Sequence, residues 1–173
     1  MNFSIVIPVY NEGPIIVQTV NKIISVLSNL SQSINWDVVV VDNGSNDDTK
    51  EKVLGLKSPK VTLVSMKEKG KGLAVCQVAS KSTADFFGFI DADLSADPES
   101  ILPMIDILIE NRADIVIGSR FLNTSLVKRD FFRSFTSKSF NVLQRLILNL
   151  HFKDTQCGLK IMNRKGLKVL SMC

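Results

Sequence analysis

The chain has 173 residues, 45% apolar and 22% charged, a composition that excludes a fibre or a disordered segment and suits one folded domain. No apolar run reaches the roughly 18 to 20 residues of a membrane span. Three widely spaced cysteines, Cys76, Cys157 and Cys173, argue against a disulfide framework or zinc site and for a reducing compartment.

The first residues enter a strand-like run, Phe3–Ile7, without a basic leader or cleavage site. Further β-rich apolar runs follow at Trp36–Val41, Val61–Val64, Phe86–Ile90 and Ile115–Ile117, all short and predicted to be buried on both faces. Between them, residues 14–30, 47–55, 71–81 and 98–111 have the spacing and length of helices. Strand alternating with helix predicts an α/β fold, a mostly parallel sheet flanked by helices. Beyond Gly118 the pattern changes: residues 131–150 carry bulky apolar groups at helical spacing with Arg133, Lys138 and Arg145 interspersed. A core-facing helix with a solvated basic side explains this, as does a helix lying on a membrane.

The net charge of +4 is unevenly divided. Residues 1–118 carry 10 Lys/Arg against 15 Asp/Glu, whereas residues 119–173 carry 11 Lys/Arg against only Asp130 and Asp154. The basic last third is expected to meet something anionic: phosphate, nucleic acid or a membrane surface. No nucleic-acid-binding motif is present, which makes nucleic acid the least favoured of these.

In parallel α/β sheets, ligands bind outside the carboxyl ends of the strands. Polar clusters fall at those ends: Pro8 to Glu12 after the first strand, Asp42 to Ser45 after the second, and Asp91-Ala92-Asp93 after the fourth. Asp91 and Asp93, alternate residues of an extended chain, can face one point. Two crowded carboxylates suit a divalent cation shared with substrate phosphates; a polar strand end leading into the helix start Asp97-Pro98-Glu99 is the plainer alternative. Tyr10 and Glu12 could contact a nucleoside. Asp42 could accept hydrogen bonds from ribose or base, or simply close an Asx turn. Gly70-Lys71-Gly72 could approach phosphate. The Gly-x-Gly-x-x-Gly fingerprint and the P-loop are absent, which disfavours hydride transfer and ordinary NTPase chemistry. His151, the only histidine, has no assigned role.

Six motifs occur in order: Ile5 to Glu12, Val41 to Asp47, Gly70-Lys71-Gly72, Asp91-Ala92-Asp93-Leu94, Gly118-Ser119-Arg120-Phe121 and Asp154-Thr155-Gln156-Cys157-Gly158. Together they resemble family 2 glycosyltransferases of the GT-A fold, and within them the dolichyl- and polyprenyl-phosphate hexosyltransferases. The resemblance implies one GT-A domain over 1–173, with a nucleotide-sugar-binding part at 1–118 and a basic, acceptor- and membrane-facing part at 119–173. It implies inverting transfer of a hexose from UDP-glucose or GDP-mannose to a polyprenyl or dolichyl phosphate at the cytoplasmic face of a membrane. It carries Pro8, Tyr10, Glu12 and Asp42 to the nucleotide, Asp91 and Asp93 to Mg²⁺ or Mn²⁺, and Arg120, Arg133 and Ser137 to the acceptor phosphate. Asp93, Arg120 and Arg133 are thereby the catalytic candidates. Asn43 stands where many relatives have a second Asp, and Ser95 where mannose synthases have glutamine. The chain also stops soon after Ile161-Met162-Asn163-Arg164, where relatives continue through further elements. A family 2 transferase acting on a saccharide or protein, with Asp154 as a conceivable base, and an inactive nucleotide-sugar-binding fragment remain the alternatives.

Overall fold

The computed structural model describes residues 1–66, 70–118 and 157–170. Its strands are β1 Asn2–Val9, β2 Asn35–Asp42, β3 Val61–Ser65, β4 Phe86–Phe89, β5 Ile115–Ile117 and β6 Lys160–Asn163. They form a sheet of order β3-β2-β1-β4-β6-β5, with β1 to β4 parallel and β6 antiparallel to both its neighbours. The helices are α1 Ile16–Leu27, α2 Thr49–Gly55, α3 Lys71–Lys81, α4 Ile101–Ile109 and α5 Arg164–Leu170, with a 3₁₀ turn at Pro98–Ser100 preceding α4. This is the GT-A architecture expected from the motifs.

Alternation along β1 creates two cores. Phe3, Ile5, Ile7 and Val9 face the layer holding α1 and α4, whose buried positions recur every three or four residues: Ile16, Val20, Ile23 and Leu27 on α1, and Ile101, Met104, Ile105 and Leu108 on α4. Val6 faces the other layer, with Val39, Val41 and Phe87, against Ala74, Val75 and Ala79 of α3 and Leu167 of α5.

Two expectations need correction. Burial on both faces does not hold for β3 and β5, which have partly or fully exposed positions throughout; Ile115 is 41% exposed. The sequence reading also contained no element for β6 or α5. Residues 119–156, which include the basic stretch 131–150, lie outside the described residues.

Parallel strand order reverses at β1: the chain passes from β1 outward to β2 and β3, then returns through α3 to β4 on the other side. A crevice opens at such a switch point. Pro8 lines it. Val6 accepts from Ile90 N–H toward β4, and Pro8, two residues on, shares that edge. The β1–β4 ladder has ended at Val6–Phe89, so the missing proline N–H removes no sheet bond.

Candidate active site

A cleft of about 360 Å³ occupies this switch point, lined by Pro8, Tyr10 and Glu12 from the end of β1, Asn43 from β2, Lys71 from α3, and Asp91 and Asp93 after β4. A larger cavity of about 590 Å³ lies at the opposite, amino-terminal end of the sheet, beside Ser4 and Asp37. The strand-end loops converge on the smaller one.

The loop after β1 is clamped to the loop after β2. Asn11 N–H donates to Ser45 Oγ at 2.9 Å, Glu12 N–H to Thr49 Oγ1 at 2.9 Å and Gly13 N–H to Asp47 Oδ2 at 3.0 Å. In return Asn46 N–H donates to Asn11 Oδ1 at 2.8 Å. Asn11 has φ 55°, a left-handed conformation that asparagine tolerates better than most residues. The clamp fixes Tyr10 and Glu12 at the cleft mouth. Burial, followed by the charges of Asp93 and Asp47, pushes the Glu12 carboxyl above its ordinary range.

Asp42 forms the Asx turn named as its plainer alternative. It is fully buried, and its carboxylate accepts from Gly44 N–H at 3.1 Å and Ser45 N–H at 3.1 Å, with Lys50 Nζ at 3.3 Å. Burial alone would raise its pKa, but hydrogen bonds from Ser45, Gly44 and Lys50 outweigh it and hold the value below the ordinary 3.8. Asp42 braces the loop rather than lining the cleft. Its neighbour Asn43 lines it instead, 6% exposed, with a buried Oδ1 that has no hydrogen-bond partner among the described residues. Asn43 was noted in the sequence only as a departure from the family.

Asp91 and Asp93 meet in the cleft, but not by strand alternation. β4 ends at Phe89, and residues 91–94 form a turn closed by Leu94 N–H to Asp91 O at 3.1 Å. Leu94 has φ 48°, a conformation costing a non-glycine residue about 1–2 kcal/mol. Three groups hold the turn. Asp93 Oδ1 accepts from Ser95 N–H at 3.0 Å, so Ser95 contributes its backbone to the turn. Buried Thr19 of α1 donates its hydroxyl to Ala92 O at 2.6 Å, a support with no motif to reveal it. Gly158 presses its backbone against the Asp91 carboxylate.

The donor set suits a divalent cation. Asp91 Oδ1 is buried, with the Lys71 ammonium against it, and Asp93 lines the same cleft. Among the described residues no group of three His, Cys, Asp or Glu side chains forms a closed metal cage. Two carboxylates with positions left for substrate phosphates and water are the usual arrangement for Mg²⁺. Arg120, Arg133, Ser137, His151 and Asp154 lie outside the described residues.

The family model described as glycosyl transferase family 2 matches residues 4–170. The chain belongs to that family. It is 36% identical over 151 residues to a dolichol-phosphate mannosyltransferase of Pyrococcus furiosus, covering 86% of this chain and 42% of that protein. It is 32% identical over 180 residues to a dolichyl-phosphate beta-glucosyltransferase of Trichomonas vaginalis, covering 98% of this chain and 55% of that one. The chain thus spans about half the length of these relatives. Among solved structures, glucosyl-3-phosphoglycerate synthase of Mycobacterium tuberculosis superposes with a TM-score of 0.70 at 20% identity, over 95% of this chain and 57% of that one. Another crystal structure of that synthase contains Mn²⁺ and uridine-diphosphate-glucose. At this identity the likeness concerns the fold.

Proposed function

We propose that this domain transfers a hexose from a nucleotide sugar, UDP-glucose or GDP-mannose, to a polyprenyl or dolichyl phosphate, with inversion at the sugar carbon. The observation that carries the reading is the convergence of Asp91 and Asp93 in a strand-end cleft. The matches to dolichol-phosphate mannosyl- and dolichyl-phosphate glucosyltransferases support the choice of acceptor.

Asp91 and Asp93 would hold Mg²⁺ or Mn²⁺, which as a Lewis acid stabilises charge on the departing diphosphate. Tyr10, Glu12 and Asn43 border the nucleoside, with Asn43 Oδ1 available as a buried acceptor. Arg120, Arg133 and Ser137 hold the acceptor phosphate. A phosphate monoester has its second pKa near about 6 and is largely dianionic at neutral pH. One of its oxygens forms the bond to the sugar carbon from the face opposite the diphosphate, and the carbon–oxygen bond to the diphosphate breaks. No proton has to leave the nucleophile, so the reaction needs no strong general base. Arginines draw the two anions together through paired hydrogen bonds. The basic last third works at the cytoplasmic face of a membrane.

Transfer from radiolabelled UDP-glucose and GDP-mannose to a short polyprenyl phosphate tests this, with Mg²⁺ or Mn²⁺, with chelator, and beside Asp93→Asn. Glycolipid that requires the metal and disappears in the variant is expected. Product in chelator refutes the metal role. Donor binding without lipid product refutes the acceptor.

A further inference from the structure

The Lys71 ammonium occupies the seat assigned to the cation. It forms an ion pair with the buried Asp91 Oδ1. Lys71 opens α3 and is the one Lys or Arg lining the cleft among the described residues, facing the carboxylates of Glu12, Asp91 and Asp93. Its side chain is 54% exposed, whereas that of Asp91 is 24% exposed. A lysine head on a flexible stem can swing into solvent. Asp91, short and pressed by Gly158, has little freedom to follow it.

We propose that Lys71 is a resident counter-ion: it neutralises Asp91 while no divalent cation is bound, yields Oδ1 when one arrives, and turns its charge to the donor's diphosphate. The inference rests on the reading that Asp91 and Asp93 hold a cation, and it adds a coupling between metal and donor. An ammonium and a dication repel each other and compete for one carboxylate oxygen, so metal binding alone works against the ion pair. The diphosphate gives the displaced lysine a new anionic partner. Each ligand therefore raises the affinity for the other.

The test is calorimetric titration of the full chain with Mn²⁺ alone, then with UDP at saturating Mn²⁺. Wild type is compared with Lys71→Met, Lys71→Arg and Asp91→Asn. Lys71→Met should bind Mn²⁺ about two- to fivefold more tightly, the scale of a partly exposed ion pair, and bind UDP at least about threefold more weakly. Lys71→Arg should remain near wild type in both titrations. Weaker UDP binding with unchanged Mn²⁺ affinity in Lys71→Met would make Lys71 a plain phosphate ligand and overturn the proposal. If Lys71→Met melts early, the wild type answers alone: Lys71 acetylation, followed by mass spectrometry, should accelerate on adding Mn²⁺ and slow again with UDP. A rate indifferent to Mn²⁺ overturns the exchange. Loss of Mn²⁺ binding in Asp91→Asn with no gain in Lys71→Met defeats only this inference, whereas unchanged Mn²⁺ binding in Asp91→Asn defeats the cation seat itself and this inference with it.

Discussion

Gly158→Ala isolates the contact that sets the position of Asp91. An added Cβ would lie closer than 3.0 Å to Oδ2, Cγ and Oδ1 of Asp91 alike. The φ of Gly158 falls outside the left-handed range, so alanine is conformationally permitted and the effect is one of space. A lysine in this position could bend its tip away. Aspartate cannot, because Cγ itself is in the way, and relief requires turning χ1 or moving the turn that carries Asp91. Overpacking of this kind costs about 1–3 kcal/mol, offset by about 0.4–1 kcal/mol from a stiffer unfolded chain. A net loss of about 1–2 kcal/mol in urea unfolding is therefore expected. Turning Asp91 away also removes one of the two carboxylates assigned to the cation, so Mn²⁺ affinity should fall by at least about tenfold, or 1.4 kcal/mol. Calorimetric Mn²⁺ titration beside the unfolding curve measures both. Wild-type stability together with wild-type Mn²⁺ affinity would refute the close approach.

Thr19→Val keeps the shape of a buried side chain while leaving Ala92 O without its donor, so stability should fall by about 1–3 kcal/mol in denaturant, with donor binding weakened as the 91–94 turn loosens. An unchanged midpoint would show that another group satisfies the carbonyl. Asp42→Asn should cost about 1–3 kcal/mol at neutral pH by weakening the bonds to Gly44 and Ser45. Because the folded pKa of Asp42 lies below 3.8, its contribution is complete above that pH and is lost as pH falls through the folded value. The gap between wild type and variant should therefore stay level near neutrality and shrink in acid below about pH 3.8; a gap that stays constant well below that pH would contradict the assignment.

The parallel half of the fold was legible because its inner strands are runs of apolar β-formers and β1 and β4 lead into helices with a three-and-four stripe, as in Phe3–Val9 followed by Ile16–Leu27. The convergence of Glu12, Asp91 and Asp93 followed from placing polar residues at strand ends. β6 was not legible. Lys160–Asn163 is four residues long with a lysine and an asparagine at its ends, and only Ile161 and Met162 reveal that it is buried. The exchange of Asp42 for Asn43 in the cleft was equally hidden, since spacing does not say which of two adjacent polar side chains turns inward. Backbone N–H groups decide it: Gly44 and Ser45 fold back onto Asp42 and satisfy its carboxylate, which leaves Asn43 facing the cavity. Thr19 gave no sign in the sequence, because its partner is a carbonyl 73 residues away.

The antiparallel strand accounts for how a motif near residue 158 reaches the carboxylate of residue 91. β6 begins where β4 ends: Lys160 pairs with Phe89 and Asn163 with Phe86. The residues just before β6 therefore arrive at the carboxyl end of β4, where Asp91 begins the turn. Had β6 run parallel to β4, its leading residues would lie at the amino end of the sheet, about 3.3 Å per residue away along the strand, and Gly158 could not touch the site. Lys160 fixes the arrival by donating to Cys157 O at 2.8 Å while its ammonium lies 5.2 Å from the centre of the Phe89 ring. Gly88, one residue earlier on β4, leaves little room beside Ile161 and the Lys160 carbonyl, each 3.1 Å from where a Cβ would stand. A side chain there would press on β6. The reversal of a single strand thus ties a segment late in the chain to the cation seat, and it does so through backbone contacts that hydrophobic patterning does not record.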